Sequence, residues 1–390
     1  MSRLQIGAVC LFLALLSIAA TRYGGYPAIN DYHDIEVYFQ RGSWVTTGQE
    51  PYRDVFSEYP QVATWLFAVP HVAAEAWFRL NGTRQYDLQT YRYVFSVLMA
   101  LFLAATLVML HDLRPDRKWL VFLLLLPAGW YFTHNRFDIV PAFLVLSSLA
   151  ALRRNRYHGA FILLAIATAT KWYALVLVPV FLVYTFHTRR RILFSAAVSY
   201  PLVLAVIVLP TLLAIGWEGF LIPYRFHLTR TGNPESLFHL LLVTLTRLGL
   251  FQPEPLLRKV FFLLQFAIAP LCVFARIDTW EKALRWSALA VICFILFAKF
   301  YSPQWILWFV PLLVLLARTR GEIAGIVVFD LVTFLYFPYI YYLEDKHPLW
   351  FPGIIALKTA LLGIWLWHLL RREEMTLPIW AQLTIKRGGR

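Results

Sequence analysis

Long apolar runs, repeated along nearly the whole chain, restrict what this sequence can fold into more than any other feature. A helix of about 20 apolar residues crosses a bilayer, and runs of that kind include 61–80, 192–215 and 350–370. Charged residues make up only 15% of the chain, whereas soluble domains average about 25%. We therefore predict an all-α, polytopic membrane helix bundle of roughly 11–13 membrane segments, with residues 1–390 forming a single integral membrane domain.

The basic residues lie in short clusters between these runs. Arg153, Arg154 and Arg156 follow one run, and a second cluster occupies 189–191. Clusters of this kind mark the cytoplasmic side of a membrane protein, where they face anionic lipids. The net charge of +14 therefore indicates the lipid bilayer as a partner, and no nucleic-acid partner is predicted.

With the basic clusters inside, residues 21–60 form a large external first loop. Six of the 22 acidic residues lie between positions 30 and 60, where aromatic residues are interleaved with them. A loop held at both ends by membrane helices can present a carboxylate at the bilayer surface, where a lipid-linked substrate presents its polar head. The alternative is a solvated loop that carries no chemistry.

A lysine interrupts one apolar stretch at Thr170-Lys171-Trp172. The stretch lies between two cytoplasmic clusters, so it must pass outward and return, with Lys171 near the outer apex. A lysine at mid-bilayer costs about 2.5 kcal/mol or more, so we expect its ammonium to face water, a carboxylate or a phosphate. The alternative is a side chain that reaches to the outer surface along its own apolar stem.

The predicted topology brings the polar residues that interrupt the apolar runs to one side of the membrane. Besides the acids of the first loop, these are Asn135, Arg136, Asp138, Lys171, His227, Arg230, Glu235, Lys299 and Gln304. Arg and Lys stabilise charge that develops on a phosphate, and a carboxylate can take the proton of a hydroxyl. The set therefore suits a substrate with a phosphate leaving group and a hydroxyl to be deprotonated.

Three segments of the sequence resemble the GT-C superfamily of polytopic glycosyltransferases. They are DIEVY at 34–38 with Gly48, PY at 51–52 and EYP at 58–60; NRFD at 135–138 with ATKW at 169–172; and SPQWILW at 302–308. The loop 224–236 is similar to a later external loop of the family. In this order the segments most resemble glycosyltransferase family 87, the polyprenol-phosphate-mannose-dependent α-mannosyltransferases of bacterial envelope glycolipids.

The resemblance implies an inverting transfer in which Asp34 is the catalytic base, with Asp31 as the runner-up. It also implies a polyprenyl-phosphate donor, most simply of mannose, and an acceptor hydroxyl on a glycolipid or glycan. The site would lie on the extracytoplasmic side of the plasma (cytoplasmic) membrane. The residues expected to bind substrate are Tyr38, Glu58, Tyr59, Arg136, Asp138, Lys171, His227, Arg230, Glu235, Lys299 and Gln304.

Other interpretations remain beside this one. No cofactor is predicted, but the i, i+3 spacing of Asp31 and Asp34 leaves a shared divalent cation as an alternative. The three cysteines lie inside apolar runs without paired spacing, which indicates packed thiols. The donor sugar is alternatively arabinofuranose, and the protein is alternatively a transporter or flippase of a lipid-linked sugar. A transporter typically has broken helices in matching positions of two repeats, and the pair around Lys171 has no evident counterpart.

Overall fold

The computed structural model describes residues 3–23, 31–80, 87–249, 254–343 and 350–371. Within these ranges the chain forms helices, short 3-10 or π turns and loops, and no β-strand. The helices are α1 (Arg3–Tyr23), α2 (His33–Gly42), α3 (Trp44–Thr47), α4 (Gln61–Leu80), α5 (Leu88–Leu113), α6 (Pro127–Asn135), α7 (Ile139–Arg153), α8 (Tyr157–Thr170), α9 (Val178–Arg189), α10 (Leu193–Phe220), α11 (Ile222–Thr229), α12 (Leu237–Arg247), α13 (Glu254–Gln265), α14 (Ile268–Leu271), α15 (Trp280–Leu296), α16 (Ile306–Leu316), α17 (Arg320–Phe334) and α18 (Trp350–Arg371). The all-α prediction is confirmed. Residues 24–30 of the predicted first loop lie outside the described residues.

Among the described residues, five helical segments are long and apolar enough to cross a membrane, judged by length and composition. They are Leu88–Leu113, Trp172–Thr229, Glu254–Phe274, Arg320–Leu343 and Trp350–Arg371. The pair α6 and α7, bent by 108°, would make a sixth span, and shorter apolar helices such as α8 accompany them. The chain is therefore an integral membrane protein, and its total number of membrane segments stays a prediction.

Successive helices of the bundle run between a basic end and an end that carries the other polar residues. Helix α7 begins after Asp138 and ends at Arg153, and α8 returns from Tyr157 to Thr170. At the basic end, the guanidinium of Arg153 donates a hydrogen bond to the carbonyl of Leu113, the last residue of α5. The arginine cluster after α7 and the lysine after α8 are therefore separated by the length of a helix.

Arg114 ties the end of α5 to the end of α16. Its guanidinium donates to the carbonyls of Val314 at 2.9 Å, Leu315 at 2.6 Å and Ala317 at 2.6 Å. The last carbonyls of a helix have no partner within it and favour a cation. This buried arginine therefore holds the basic end of α16, a helix whose opposite end reaches the candidate site.

Helix α2 packs on α4, and both lie on the same side of the bundle. The rings of Tyr38 and Phe67 stack with their centroids 4.5 Å apart. The ring of Phe39 lies 4.8 Å from that of His71, which in turn lies 4.7 Å from the ring of Tyr91. Since Tyr91 belongs to the first turn of α5, the middle of α4 already meets the start of the next helix. Helix α4 therefore contacts both α2 and the start of α5.

Gly42 allows α2 to approach α4 closely, and replacing it by alanine is expected to disrupt this packing. A Cβ atom at Gly42 would lie 2.2 Å from the carbonyl oxygen of Phe67, and backbone cannot move aside like a flexible side chain. Overpacking of this kind costs about 1–3 kcal/mol, so we expect Gly42→Ala to lower the unfolding temperature and the activity. The matched control is Gly159→Ala, because a Cβ there meets nothing within 4 Å; equal loss in both variants would contradict this account.

A buried carboxylate holds the beginning of α6, the short helix that precedes α7. Asp330 of α17 accepts hydrogen bonds from the backbone N–H groups of Ala128 and Gly129, both at 3.0 Å. These groups belong to the first turn of α6, where a carboxylate is favoured by the free N–H groups and the helix dipole. The cap orients α6, and the 108° bend after it directs Arg136 and Asp138 out of the helices.

Candidate functional site

Arg136, in the bend between α6 and α7, joins the two aspartates of the first loop. Its Nη2 donates to Asp31 Oδ2 at 2.6 Å, and its Nε lies 2.7 Å from Asp34 Oδ2. The side chains of Arg136 and Asp31 are 5% and 8% exposed, whereas that of Asp34 is 25% exposed. Residues more than 100 positions apart in sequence therefore meet in one charged cluster, and Asp34 is its most accessible member.

Asp31 is occupied by contacts that hold it ionised. Its Oδ1 accepts a hydrogen bond from the backbone N–H of His33 at 3.1 Å. Burial acts to raise the pKa of the Asp31 carboxyl, but the charge of Arg136 and the hydrogen bonds from Arg136 and His33 outweigh it, so the pKa lies below its usual value. A carboxyl of lowered pKa stabilises the fold above its unfolded pKa, and this contribution is lost as pH falls through the folded pKa. Acid is therefore expected to loosen the first loop from Arg136.

Asp34 has one oxygen engaged and one available. The ion pair with Arg136 and the hydrogen bond that Tyr38 Oη donates at 3.4 Å both involve Oδ2. Among the described residues, none donates a hydrogen bond to Asp34 Oδ1. Asp34 lies in the first turn of α2, on a helix fixed by packing on α4. A positioned carboxylate with a free oxygen has the geometry of a general base.

Lys171 and Asp138 form a second, deeper ion pair. Helix α8 ends at Thr170 and Lys171 is extended, so its side chain leaves the helix and reaches Asp138 Oδ1 at 2.8 Å. Trp308 Nε1 donates to the same oxygen at 2.8 Å, and the ammonium lies 4.3 Å from the ring centroid of Phe137. Asp138 is completely buried, whereas Lys171 is 18% exposed. Of the three surroundings expected for Lys171 (water, a carboxylate or a phosphate), the ammonium faces a carboxylate.

His227 connects the later external segment to the first loop. Its Nε2 lies 3.0 Å from the backbone oxygen of Glu58, and its ring packs edge-on against Trp172 at 4.9 Å. The carboxylate of Glu58 is paired with Arg41 Nε at 2.8 Å. The first loop, the residues after α8 and helix α11 therefore meet at one place, as the predicted topology requires.

A largely apolar cavity of about 450 Å³ opens beside Lys171 and His227. Its polar edge includes Glu58, Lys171, His227 and Lys299. Its remaining walls come from the loop before α4, the residues after α8, and helices α11, α13, α15 and α16; they are Tyr59, Pro60, Trp172, Tyr173, Leu175, Tyr224, Leu228, Arg258, Phe261, Phe262, Gln265, Phe266, Phe294, Phe297, Ala298, Phe300, Trp305 and Trp308. A cavity with cations at one edge and phenylalanine walls fits an apolar chain that ends in an anion.

Tyr59 lies between this cavity and the aspartate cluster. Its ring lines the cavity, lies 5.9 Å from the ammonium of Lys171 and meets the ring of Tyr38 edge-on at 5.9 Å. Tyr38 in turn contacts Asp34. Asp34 is therefore separated from the cation edge of the cavity by about one aromatic layer.

Three further predicted residues come from the segments that follow α11 and α15. Arg230 is exposed and its guanidinium lies 4.8 Å from the ring of Phe300; Lys299 Nζ donates to the carbonyl of Leu228 at 3.1 Å. Gln304 is buried at the start of α16. Lys299 is thus at the cavity, whereas Arg230 and Gln304 do not line it.

Glu235 belongs to a separate cluster. Its carboxylate accepts from Asn233 Nδ2 at 2.9 Å, and its carbonyl accepts from Lys358 Nζ at 2.8 Å. Lys358, buried in α18, lies 3.1 Å from the ring centroid of Tyr301. These contacts hold the segment after α11 against α18, and Glu235 takes part in that packing.

No protein-family model matches the sequence, and no curated protein matches it. A solved structure described as "Crystal Structure of ArnT from Cupriavidus metallidurans bound to Undecaprenyl phosphate" aligns with 93% of this chain and 75% of that chain. The TM-score is 0.49 and the sequence identity is 15%.

The structure adds site residues that the sequence had not indicated. Trp308 and Phe137 surround the Lys171 ammonium, and Arg258 contributes a further cation to the cavity. Trp308 lies within the SPQWILW segment, but a tryptophan in an apolar run is usually a packing or interfacial residue. Its role at the site becomes evident only from its hydrogen bond to Asp138, which the sequence does not reveal.

Arg136 bridges the two aspartates of the first loop, the pair that would have to share a metal ion. Within the described ranges, no group of three or more His, Cys, Asp or Glu side chains is arranged to hold a metal ion. Arg136 lies where a cation between Asp31 and Asp34 would have to bind. A cation shared by the two carboxylates would therefore have to displace the guanidinium of Arg136.

Proposed function

We propose that this protein is a membrane glycosyltransferase of the GT-C type that uses a polyprenyl-phosphate sugar and inverts the anomeric centre. The observation that carries the proposal is that a partly exposed carboxylate, Asp34, lies behind the rings of Tyr38 and Tyr59 from the cation edge of an apolar cavity at Lys171 and His227. The acceptor is the hydroxyl of a lipid-linked molecule or glycan. A fold without catalytic function has no need for two buried ion pairs beside such a cavity, since buried pairs add little to stability.

The cavity supports the assignment of the donor. Phe261, Phe262, Phe294 and Phe297 provide apolar surface for a prenyl chain, whose burial is favoured by about 25 cal/mol per Å². Lys171 still has N–H groups besides the one directed at Asp138, because an ammonium carries three donors. Its charge, with those of Lys299 and Arg258, favours a phosphate at the polar edge of the cavity.

Asp34 is assigned the base role in the transfer. The acceptor oxygen forms a bond to the sugar C1 while the bond from C1 to the phosphate oxygen breaks, and the polyprenyl phosphate leaves with the electron pair. The acceptor proton passes to Asp34 Oδ1. Cations at the cavity stabilise the charge that grows on the leaving phosphate, so no acid is needed to protonate it.

The distribution of charge supports a site on the extracytoplasmic face. The arginine clusters lie at the opposite end of α7 and α8 from Asp138 and Lys171, and such clusters remain in the cytoplasm. The sugar is assigned as mannose from the sequence resemblance alone, with arabinose as the alternative.

An assay of sugar transfer by the purified protein in liposomes tests this function. Radiolabelled polyprenyl-phosphate mannose is supplied with an extract of envelope lipids as acceptor, and label is expected to appear in a new lipid or glycan product. Unlabelled mannose donor should suppress the signal at lower concentration than the arabinose donor does. Stronger suppression by the arabinose donor would show that the donor sugar is arabinose and not mannose. Movement of labelled donor between leaflets without any product would support the flippase alternative instead.

A further inference from the structure

Each nitrogen of the Arg136 guanidinium lies within 3.3 Å of a protein oxygen. Besides the contacts with the two carboxylates, its Nη1 donates to the carbonyl of Asn135 at 2.9 Å and to that of Asp31 at 3.3 Å. Its side chain is 5% exposed, and its central carbon lies 5.9 Å from the ring of Phe337. A buried arginine with these partners cannot also bind a donor phosphate, although the sequence suggested a substrate contact.

The two carboxylates that share Arg136 are held in different ways. Asp31 uses Oδ2 for Arg136 and Oδ1 for the N–H of His33, so both of its oxygens are taken. Asp34, three positions further along, uses only Oδ2 for contacts with the described residues. Because Asp31 balances the single charge of Arg136, the cluster keeps one net negative charge, and the free oxygen belongs to Asp34.

We propose that Arg136 and Asp31 form a positioning pair that aims Asp34 Oδ1 at the acceptor and sets the charge on that carboxylate. Neither residue touches substrate; both act through Asp34, so the inference rests on the proposed function. Arg136 holds Asp34 Oδ2 in an ion pair at 2.7 Å while its Nη2 donates to Asp31. Lysine cannot reproduce this contact with two carboxylates, because it lacks the planar fork of the guanidinium. Asp31 limits how strongly that guanidinium holds the negative charge of Asp34.

Three further ionisable groups in the described part of the chain interact with Asp34. They are Tyr38 on its own helix, Tyr59 of the first loop and Asp138 at the start of α7. Asp138 carries Lys171 as its own partner, so its charge is largely balanced. Arg136 and Asp31 are therefore the main influence on the Asp34 carboxylate, and they can be substituted without altering the donor cavity.

The test compares Arg136→Lys and Asp31→Asn with wild type in kcat, donor KM and pH profile. Arg136→Lys keeps the charge and is expected to lower kcat by about 10-fold or more with donor KM unchanged. Asp31→Asn leaves Arg136 to Asp34 alone, so the acid limb of the kcat profile should move to lower pH and the plateau should fall. A residue of purely structural importance would lower the amount of folded protein without shifting this limb.

The matched control is Arg92→Lys, because Arg92 Nη2 pairs with Glu36 of the same helix α2 at 2.6 Å and does not touch Asp34. This variant should retain the kcat and pH profile of wild type. If Arg136→Lys fails to fold, the Asp31→Asn profile alone decides the matter. Wild-type kcat and profile in both variants, or a loss confined to donor KM, would overturn the inference. An inactive wild type with every donor would instead remove the proposed function.

Discussion

Replacing Asp34 by asparagine is expected to lower kcat for sugar transfer by about 10²–10⁴-fold, the range that a general base contributes. Asparagine keeps the size of the side chain and can accept a contact from Arg136, but it cannot take the acceptor proton. Asp34 is partly exposed, so its own charge is lost without a large burial penalty. Arg136 still has Asp31 as a charged partner. The donor should therefore bind with unchanged KM.

The control for Asp34→Asn is Glu36→Gln on the same helix. Glu36 pairs with Arg92 and is 46% exposed, so its loss should change transfer little. Initial rates in liposomes, normalised to folded protein measured by size-exclusion chromatography, give the comparison. An Asp34→Asn protein as active as wild type would exclude Asp34 as the base. Asp31→Asn would then be examined for the role instead.

Replacing Lys171 by methionine is expected to destabilise the protein by about 3–5 kcal/mol, because it leaves a buried carboxylate without its partner. Asp138 is completely buried, and its Oδ1 receives both the ammonium of Lys171 and the indole N–H of Trp308. Methionine keeps the length of the side chain and can lie against the ring of Phe137. The expected observation is a large fall in the thermal unfolding temperature in detergent.

A double variant separates the structural role of Lys171 from its role at the donor. Lys171→Met with Asp138→Asn removes both charges, so most of the stability should return. Transfer should remain low, because the cavity has lost a cation that faces the donor phosphate. If the double variant recovers both stability and transfer, Lys171 serves the fold alone. If the single variant unfolds at the wild-type temperature, the pair does not stabilise the fold as its burial indicates.

Residues that break an apolar pattern were predictable from the sequence, because the bilayer penalises them whatever surrounds them. Lys171 and the Asn135-to-Asp138 segment were found in this way, and Lys171 indeed faces a carboxylate. The helix ends agree well with the apolar runs for the same reason. Gln61–Leu80 is one such run, and α4 has the same bounds.

The partners of these residues were not predictable, because each pairing joins positions far apart in the chain. Arg136 and Asp31 are 105 residues apart, and Trp308 and Asp138 are 170 apart. An arginine beside a proposed phosphate site suggested substrate binding, whereas the fold encloses it between two aspartates.

The most direct test is an experimental structure of the wild-type protein in a lipid nanodisc with a polyprenyl phosphate bound. The account predicts that the phosphate lies within hydrogen-bond distance of Lys171, His227 or Lys299, with the prenyl chain along Phe261 and Phe297. The phosphate should lie on the far side of Tyr59 from Asp34. A phosphate bound at the basic end of the bundle, near Arg114 or Arg153, would contradict the proposed site and the transfer chemistry built on it.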